Sequence, residues 1–236
     1  MVFKTTFAFL VVAALAMLCT LTPQAEAHSW VDCVDWKPAS GKNKWTKGKC
    51  LGYARRYPFK KAFAKLDSDY PSRHYQQDSK NLKKGHETAP ACSDRRAGEE
   101  PGADETRPSK VGDAYYKSSG SNKNWGRMTV TSVGDTLCVR WPAKNHAKES
   151  SPPPVVINWM KDDGKKNHPQ SVLNKHFLTK LNYKNCDSGK SEDVRACGGC
   201  FKVPSGSPGM YLMQWRWMLN KGEYYTSCAD VQVVKK

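Results

Sequence analysis

Hydrophobic and polar positions alternate along the second half of the chain, and this period of two predicts β-strands. The alternating segments cover residues 127–133, 136–141, 155–159, 210–218 and 224–234. Gly134-Asp135 separates the first two segments and Asn220-Lys221-Gly222 the last two, so we expect two hairpins. Helix signals are weak, and 51–66, which Pro58 interrupts, is expected to hold a helical turn or two. The pattern therefore predicts an all-β fold.

The middle of the chain has a different composition. From Asp67 to about Asn124 it is mostly polar, with Pro, Gly, Ser and charges of both signs. This predicts long loops rather than a second domain, held at least by Cys92.

The first 27 residues are typical of a secretory signal. Lys4 supplies a positive charge, an apolar run extends from Phe7 to Leu21, and Ala25-Glu26-Ala27 fits a cleavage site. We expect a secreted, extracellular protein whose mature chain, residues 28–236, forms a single domain. No other apolar stretch is long enough to cross a bilayer, so no membrane partner is expected.

The number of cysteines is consistent with secretion into an oxidising compartment. Of nine in the sequence, Cys19 falls within the expected signal, and the other eight predict up to four disulfides whose pairing the sequence leaves open. Cys197-Gly-Gly-Cys200 would also suit a redox dithiol or half a zinc site, but secretion favours a structural role. Strands, turns and cysteines together predict an antiparallel β-sandwich.

The formal charge of +16 favours an anionic partner. Acidic polysaccharide, a cell-wall surface or anionic lipid would fit a secreted protein, whereas nucleic acid fits the charge but not the location. The alternative is that excess lysine only maintains solubility.

Cleavage after Ala27 would place His28 at the amino terminus. Its α-amino group and its ring Nδ1 could bind one metal ion together, and an imidazole from elsewhere would add a third nitrogen. Cu(II) prefers such tetragonal nitrogen sites, and the α-amino pKa of about 8 makes deprotonation by copper easy near neutral pH. The alternative is that His28 is an accident of processing.

The second imidazole has to come from one of five histidines: His74, His86, His146, His168 and His176. We favour His146, which lies five residues beyond Trp141 at the end of a strong predicted strand, where a ligand can be held rigidly. The other four are expected to be structural or solvent-exposed.

A third element lies near the carboxyl terminus, in Gly222-Glu223-Tyr224-Tyr225-Thr226-Ser227-Cys228-Ala229-Asp230-Val231. Tyr225 could face a copper ion from its axial side, and Glu223, on the same strand face, could contact groups around the metal. An ordinary core tyrosine and an exposed strand glutamate are the alternatives.

Together, His28 after Ala-x-Ala, the segment Arg140-Trp-Pro-Ala-Lys-Asn-His146 and Tyr225-x-x-Cys228-Ala-Asp-Val resemble the copper-dependent lytic polysaccharide monooxygenases. The opening His28-Ser-Trp-Val-Asp-Cys33-Val-Asp-Trp36, followed by Cys50-Leu-Gly-Tyr, is most similar to the pectin-active family of these enzymes from oomycetes. The similarity extends along the whole mature chain, and it implies an immunoglobulin-like sandwich.

By this resemblance, His28 and His146 would bind one copper ion and Tyr225 would take the axial position. Glu223 stands where many relatives carry glutamine, and it would act beside the metal. The implied activity is oxidative cleavage of a polysaccharide, most simply homogalacturonan, with an external electron donor and dioxygen or hydrogen peroxide, by a monomer. A non-catalytic copper-binding protein, a basic polysaccharide-binding or antimicrobial protein and a structural wall protein are the alternatives.

Overall fold

The late segments with alternating hydrophobic and polar residues form strands, as the sequence pattern predicts, but most of their side chains are buried on both faces. In the computed structural model, the described residues are 29–55, 87–92, 128–143, 153–165, 168–188, 195–220 and 222–236, with the backbone of 115–117 and 124–126. The signal segment, His28, His74, His86, His146 and residues 56–66 lie outside the described residues; residues 51–55 form no helix.

The described elements are eleven strands, one short helix and a 3-10 turn. The strands are β1 (Trp36–Pro38), β2 (Gly48–Cys50), β3 (Tyr115–Lys117), β4 (Asn124–Gly126), β5 (Thr129–Ser132), β6 (Thr136–Pro142), β7 (Val155–Lys161), β8 (Phe177–Leu181), β9 (Ala196–Lys202), β10 (Gly209–Asn220) and β11 (Glu223–Val234). Helix α1 covers Gln170–Leu173, and the 3-10 turn Asn174–His176 follows it.

Two sheets pack against each other. The larger has the order β5-β11-β10-β7-β8, and the smaller pairs β6 with β9. Their facing side chains form one apolar core, in which Trp141 of β6 lies 6.0 Å from Trp215 and 6.5 Å from Trp217 of β10, measured between ring centroids. Tilted and edge contacts of this kind add to the stabilisation from burial. The predicted all-β, immunoglobulin-like sandwich with disulfides is thus confirmed.

Of the two hairpins that the sequence predicts, the structure contains one. Strands β10 and β11 form the expected antiparallel hairpin. The hairpin predicted around Gly134-Asp135 is wrong: β5 pairs in parallel with β11, and β6 pairs with β9. The turn itself is present, with Gly134 at φ 79°, but it carries the chain from one sheet to the other.

All eight cysteines of the expected mature chain form disulfides, as predicted. The pairs are Cys33–Cys50, Cys92–Cys228, Cys138–Cys200 and Cys186–Cys197. Cys197 and Cys200 therefore bond to different partners, which confirms a structural role for that motif. The Cys92–Cys228 bond joins the polar middle of the chain to β11, also as expected. The small β3–β4 sheet in that middle region was not predicted.

The outer face of the large sheet is covered by residues 87–92 and α1. Three completely buried amide side chains lie between the sheet and this covering layer. We name this group the amide layer: Asn158, Gln170 and Gln214. Gln214 Nε2 donates to the Ala91 carbonyl (2.6 Å) and to Gln170 Oε1 (2.7 Å), and Gln214 Oε1 accepts from Asn158 Nδ2 (2.7 Å). Such a group is stable inside a protein because its members satisfy one another.

The outer face of the β6–β9 sheet is covered by the segment from β1 to β2. Trp36 and Trp45 from this segment are buried with Cys33, Cys138 and Ala196 in a separate apolar cluster. Among the described residues, no helix is long and apolar enough to cross a membrane.

Candidate functional site

The first described residues are fixed at a junction between the two sheets. Ser29 is completely buried, and its hydroxyl donates to the carbonyl oxygen of Pro142, the last residue of β6, over 2.8 Å. The backbone N–H of Val31 donates to the hydroxyl of Ser227 in β11 over 3.1 Å. We name residues 29–33 with their contacts on β6 and β11 the N-terminal junction.

The backbone of the same segment pairs with β6. The N–H of Asp32 donates to the Arg140 carbonyl over 3.0 Å, and the N–H of Arg140 donates to the Cys33 carbonyl over 2.9 Å. Short backbone pairing of this kind fixes position along the strand direction. The Cys33–Cys50 disulfide closes the far end of the segment.

A buried ion pair between side chains joins the amino-terminal segment to β6. Arg140 Nη2 lies 2.7 Å from Asp32 Oδ2, Arg140 Nε lies 2.9 Å from Asp32 Oδ1, and both side chains are completely buried. The guanidinium also donates to the Trp45 carbonyl (3.3 Å) and lies 3.9 Å from the ring centroid of Trp36. A buried pair persists only when its remaining hydrogen-bonding groups are satisfied, and here the backbone and an indole face contribute to that.

Strand β11 brings Tyr225 to the junction. Tyr225 and Ser227 are two residues apart in a regular strand, so their side chains lie on the same, inward face. Tyr225 is 2% exposed and belongs to the main core. Glu223, two residues earlier at the start of the strand, is partly exposed. The junction thus contacts the inward row of β11 directly beside Tyr225.

The predicted site residues fall into two groups. Tyr225 and Glu223 lie in β11, as expected, whereas the proposed ligands His28 and His146 lie outside the described residues. The two described histidines are elsewhere: His176 is exposed, and His168 is buried beside α1 with its Nε2 3.1 Å from Asp163 Oδ1. Among the described residues, no group of three His, Cys, Asp or Glu side chains could hold a metal ion.

Shifted pKa values are found away from the junction. Burial lowers the pKa of Arg216 to about 10, although Tyr224 opposes that shift. Burial raises the pKa of Asp230, against the effect of Arg55. A hydrogen bond from the backbone N–H of Lys165 lowers the pKa of the exposed Asp163. All three follow from local burial or local pairing, and none involves a residue of the junction.

Sequence reasoning missed the residues that build the junction. A lone arginine between Val139 and Trp141 in an apolar strand does signal a buried partner, because an unpaired buried charge is very costly. The sequence does not say that Asp32 is that partner. Ser29 and Ser227 carry no comparable signal, since serine is common at exposed positions.

No protein-family model and no curated protein matches the sequence. Among solved structures, the chain is similar to a copper-bound, cellulose-active lytic polysaccharide monooxygenase, CelS2, with a TM-score of 0.36 and 16% identity over 47% of this chain and 55% of that one. It is similar to a lytic polysaccharide monooxygenase from Streptomyces lividans, with a TM-score of 0.31 and 18% identity over 45% and 61% of the two chains.

A third similarity is to a glycoside hydrolase family 61 member, Cel61B, from Hypocrea jecorina. Its TM-score is 0.30, with 14% identity over 49% of this chain and 56% of that one. The chain spans less than two thirds of each of these three proteins, and overlaps of this extent assign neither a family nor an activity.

Proposed function

We propose that this protein is a secreted, copper-dependent enzyme that cleaves polysaccharide oxidatively, with homogalacturonan as its substrate. The observation that carries the proposal is the N-terminal junction. It fixes Ser29, the residue after His28, against the end of β6, which leads to His146. It also fixes Val31 against the row of β11 that holds Tyr225. The sequence resemblance assigns these same three segments to a copper site.

The covalent chain limits how far the proposed ligands lie from the junction. His28 directly precedes Ser29, and His146 follows Pro142 by four residues, which span at most about 14 Å. The Ser29 hydroxyl and the Pro142 carbonyl are in hydrogen-bond contact. Each proposed imidazole is therefore joined by a short length of chain to one of two residues, Ser29 and Pro142, that contact each other. This supports a shared copper site.

The donor set fits copper chemically. One amine and two imidazoles suit Cu(II), and the phenol of buried Tyr225 would add an oxygen near the ion. When bound, copper would supply the redox chemistry that hydroxylates a carbon at the glycosidic bond, with one oxygen atom of dioxygen or hydrogen peroxide entering the C–H bond and the other leaving as water, and with an external donor supplying the electrons that dioxygen needs. The chain itself contributes anchoring: Ser29, Val31 and Asp32 hold the amino-terminal segment, and burial of Tyr225 keeps bulk water from that side.

Glu223 is the second protein group proposed to act in catalysis. It is partly exposed at the start of β11, two residues from Tyr225. A carboxylate there could accept a hydrogen bond from the oxygen co-substrate and orient it. It would not need to contact the metal for this role.

The substrate assignment rests on charge. The net charge of +16 would attract homogalacturonan, which carries one carboxylate per unesterified sugar, over long range and in a salt-dependent way. Neutral cellulose or chitin would gain nothing from this charge.

The test compares two preparations that differ by one residue. One begins at His28, and the other has a glycine before it, which moves the free amine away from the imidazole. Each is loaded with copper and given homogalacturonan, cellulose or chitin with a reductant. Oxidised uronide products from the first preparation alone would support the proposal.

Three results would contradict it. If both preparations bind copper with the same affinity and the same electron paramagnetic resonance spectrum, the terminal amine is not a ligand. If only the first binds copper normally but releases no oxidised product from any substrate, the protein is a non-catalytic copper-binding protein. A basic polysaccharide-binding protein would bind uronide and ignore copper in both forms.

A further inference from the structure

A dense group of lysines lies on the segment that covers the β6–β9 sheet. Residues 36–50, which we name the lysine hairpin, contain no acidic residue. They contain five lysines, all exposed: Lys37, Lys42, Lys44, Lys47 and Lys49. Lys37 is paired with Asp35 at 2.8 Å. Among the described residues, no acidic side chain forms an ion pair with the other four.

The hairpin backbone that carries these lysines is firmly held. Trp36 and Trp45 point inward and are at most 1% exposed, and Trp36 Nε1 donates to the Lys44 carbonyl over 2.8 Å. The N–H of Thr46 donates to Asp187 Oδ2 over 2.5 Å. The Cys33–Cys50 disulfide fixes the base.

Two glycines let the tryptophans pack closely. A Cβ on Gly48 would lie 2.6 Å from the Trp36 ring, and a Cβ on Gly198 of β9 would overlap the Trp45 ring. The aromatic side chains therefore anchor the hairpin from below, while the lysines all remain in solvent. This excludes direct contact between the Trp45 ring and a bound sugar chain.

The arrangement carries an electrostatic cost within the hairpin. Lys37 and Lys49 lie directly opposite each other across the two strands, where like charges repel, and the pair with Asp35 offsets part of this repulsion. Lys47 lies two residues before Lys49, in the bend that leads into β2. Soluble surfaces usually intersperse charges of both signs, so an external anion would relieve this repulsion.

We propose that the lysine hairpin is a preformed binding surface for a linear polycarboxylate, a uronic acid polymer. A chain with one carboxylate on each sugar offers a row of single negative charges that successive lysines can contact together. Each exposed contact is weak, but several on one polymer add up because later contacts form within the same complex.

Other polyanions fit the hairpin less well. Binding at a membrane surface normally combines basic residues with apolar side chains that enter the lipid, and here both tryptophans are buried. Binding to single-stranded nucleic acid normally uses exposed aromatic rings for base stacking, and the hairpin exposes none. The lysines alone favour a flexible, regularly charged sugar polymer.

This inference takes its substrate class from the proposed function, but binding can be tested without copper. A hairpin variant replaces Lys42, Lys44, Lys47 and Lys49 by glutamine. The matched control replaces Lys175, Lys180, Lys202 and Lys235, which are exposed on other parts of the surface, so the net charge of the two variants is equal. Copper-free proteins are titrated calorimetrically with an oligogalacturonide, with its fully methyl-esterified form and with phosphatidylserine vesicles.

The hairpin variant should bind the oligogalacturonide about tenfold more weakly, since four contacts of about 0.3–0.5 kcal/mol sum to that factor. Its salt dependence should also decrease. The affinity of the control variant for the oligogalacturonide should change less than about twofold. The methyl-esterified ligand should not bind wild-type protein or either variant. Equal loss in both variants, or unchanged binding in the hairpin variant, would overturn the proposal.

Stronger binding of wild-type protein to the vesicles than to the uronide would overturn it as well. Thermal melting of both variants checks that they fold, and the removal of like charges predicts an unchanged or higher melting temperature for the hairpin variant. If binding behaves as expected while no oxidised product forms from any substrate, the proposed function fails and the binding surface stands.

Discussion

The N-terminal junction and the amide layer both bury polar side chains completely, but only the junction buries charge. In the junction, Asp32 and Arg140 form an ion pair between a chain segment and a strand. In the amide layer, Gln214 and its neighbours exchange neutral hydrogen bonds between a sheet and the layer that covers it. Removal of one partner of a buried ion pair costs more free energy than the loss of a neutral hydrogen bond. Substitutions in the junction should therefore destabilise the fold more than substitutions in the amide layer.

The two regions also adjoin different parts of the molecule. The amide layer attaches a peripheral segment to the sheet, next to the Cys92–Cys228 disulfide. The junction positions the segment that begins one residue after His28. Side-chain and backbone contacts to β6 and β11 hold this segment in place.

The largest expected effect comes from breaking the buried ion pair. Asp32→Asn removes the carboxylate that pairs with the buried Arg140 guanidinium, and we expect the free energy of unfolding to fall by about 3–5 kcal/mol. Denaturant titration measures this loss. The double variant Asp32→Leu/Arg140→Met removes both buried charges of this pair and should recover most of the stability. A loss below about 1 kcal/mol in Asp32→Asn would show that the pair does not hold the junction.

A smaller effect is expected from the amide layer. Gln214→Leu leaves Asn158, Gln170 and the Ala91 carbonyl short of partners, which should cost about 2–3 kcal/mol. Copper affinity and the copper spectrum should not change, because the layer lies on the opposite face of β10 from the core. The control Gln232→Leu removes an amide at a partly buried position and should cost less than about 0.5 kcal/mol. An altered copper spectrum in Gln214→Leu would contradict the separation of the two regions.

Removal of the Ser29 hydroxyl tests a single hydrogen bond of the junction, the one to the Pro142 carbonyl. Ser29→Ala should cost about 1 kcal/mol of stability, and it should weaken copper binding and alter the copper electron paramagnetic resonance spectrum, because the segment after His28 loses its contact with β6. The exposed Ser207, whose hydroxyl meets Lys161, provides the control, since Ser207→Ala should change neither quantity. Wild-type spectra from Ser29→Ala would remove this residue from the proposed site.

The smallest structural effect is expected at Glu223. Glu223→Ala should change the free energy of unfolding by less than about 0.5 kcal/mol, because the side chain is partly exposed. Copper affinity should be retained while the rate of oxidised product formation falls, since the substitution removes a hydrogen-bond acceptor and no ligand. An unchanged rate would leave Glu223 as an ordinary strand residue.

Local patterns predicted the elements of this fold better than their partners. The β10–β11 hairpin was predicted correctly because a short turn joins two strands that pair with each other. The same reasoning failed at Gly134-Asp135, where the turn passes between sheets. Tyr225 and Glu223 were placed on the correct strand, but the contacts of Ser29 and Asp32 depend on residues more than a hundred positions away.

By itself, the sequence determined five of the strands, β5, β6, β7, β10 and β11, but not β1–β4, β8 or β9. It also determined how many cysteines are available for bonding, the positive charge and the candidate ligands His28 and His146. These properties follow from composition and from side-chain period, which are local. Only the tertiary structure decided the disulfide pairs, the partner of Arg140 and the inward orientation of Trp45. A period of two shows that one face of a strand is buried, but any apolar surface can bury it, so the partner is selected by the packing of the whole chain.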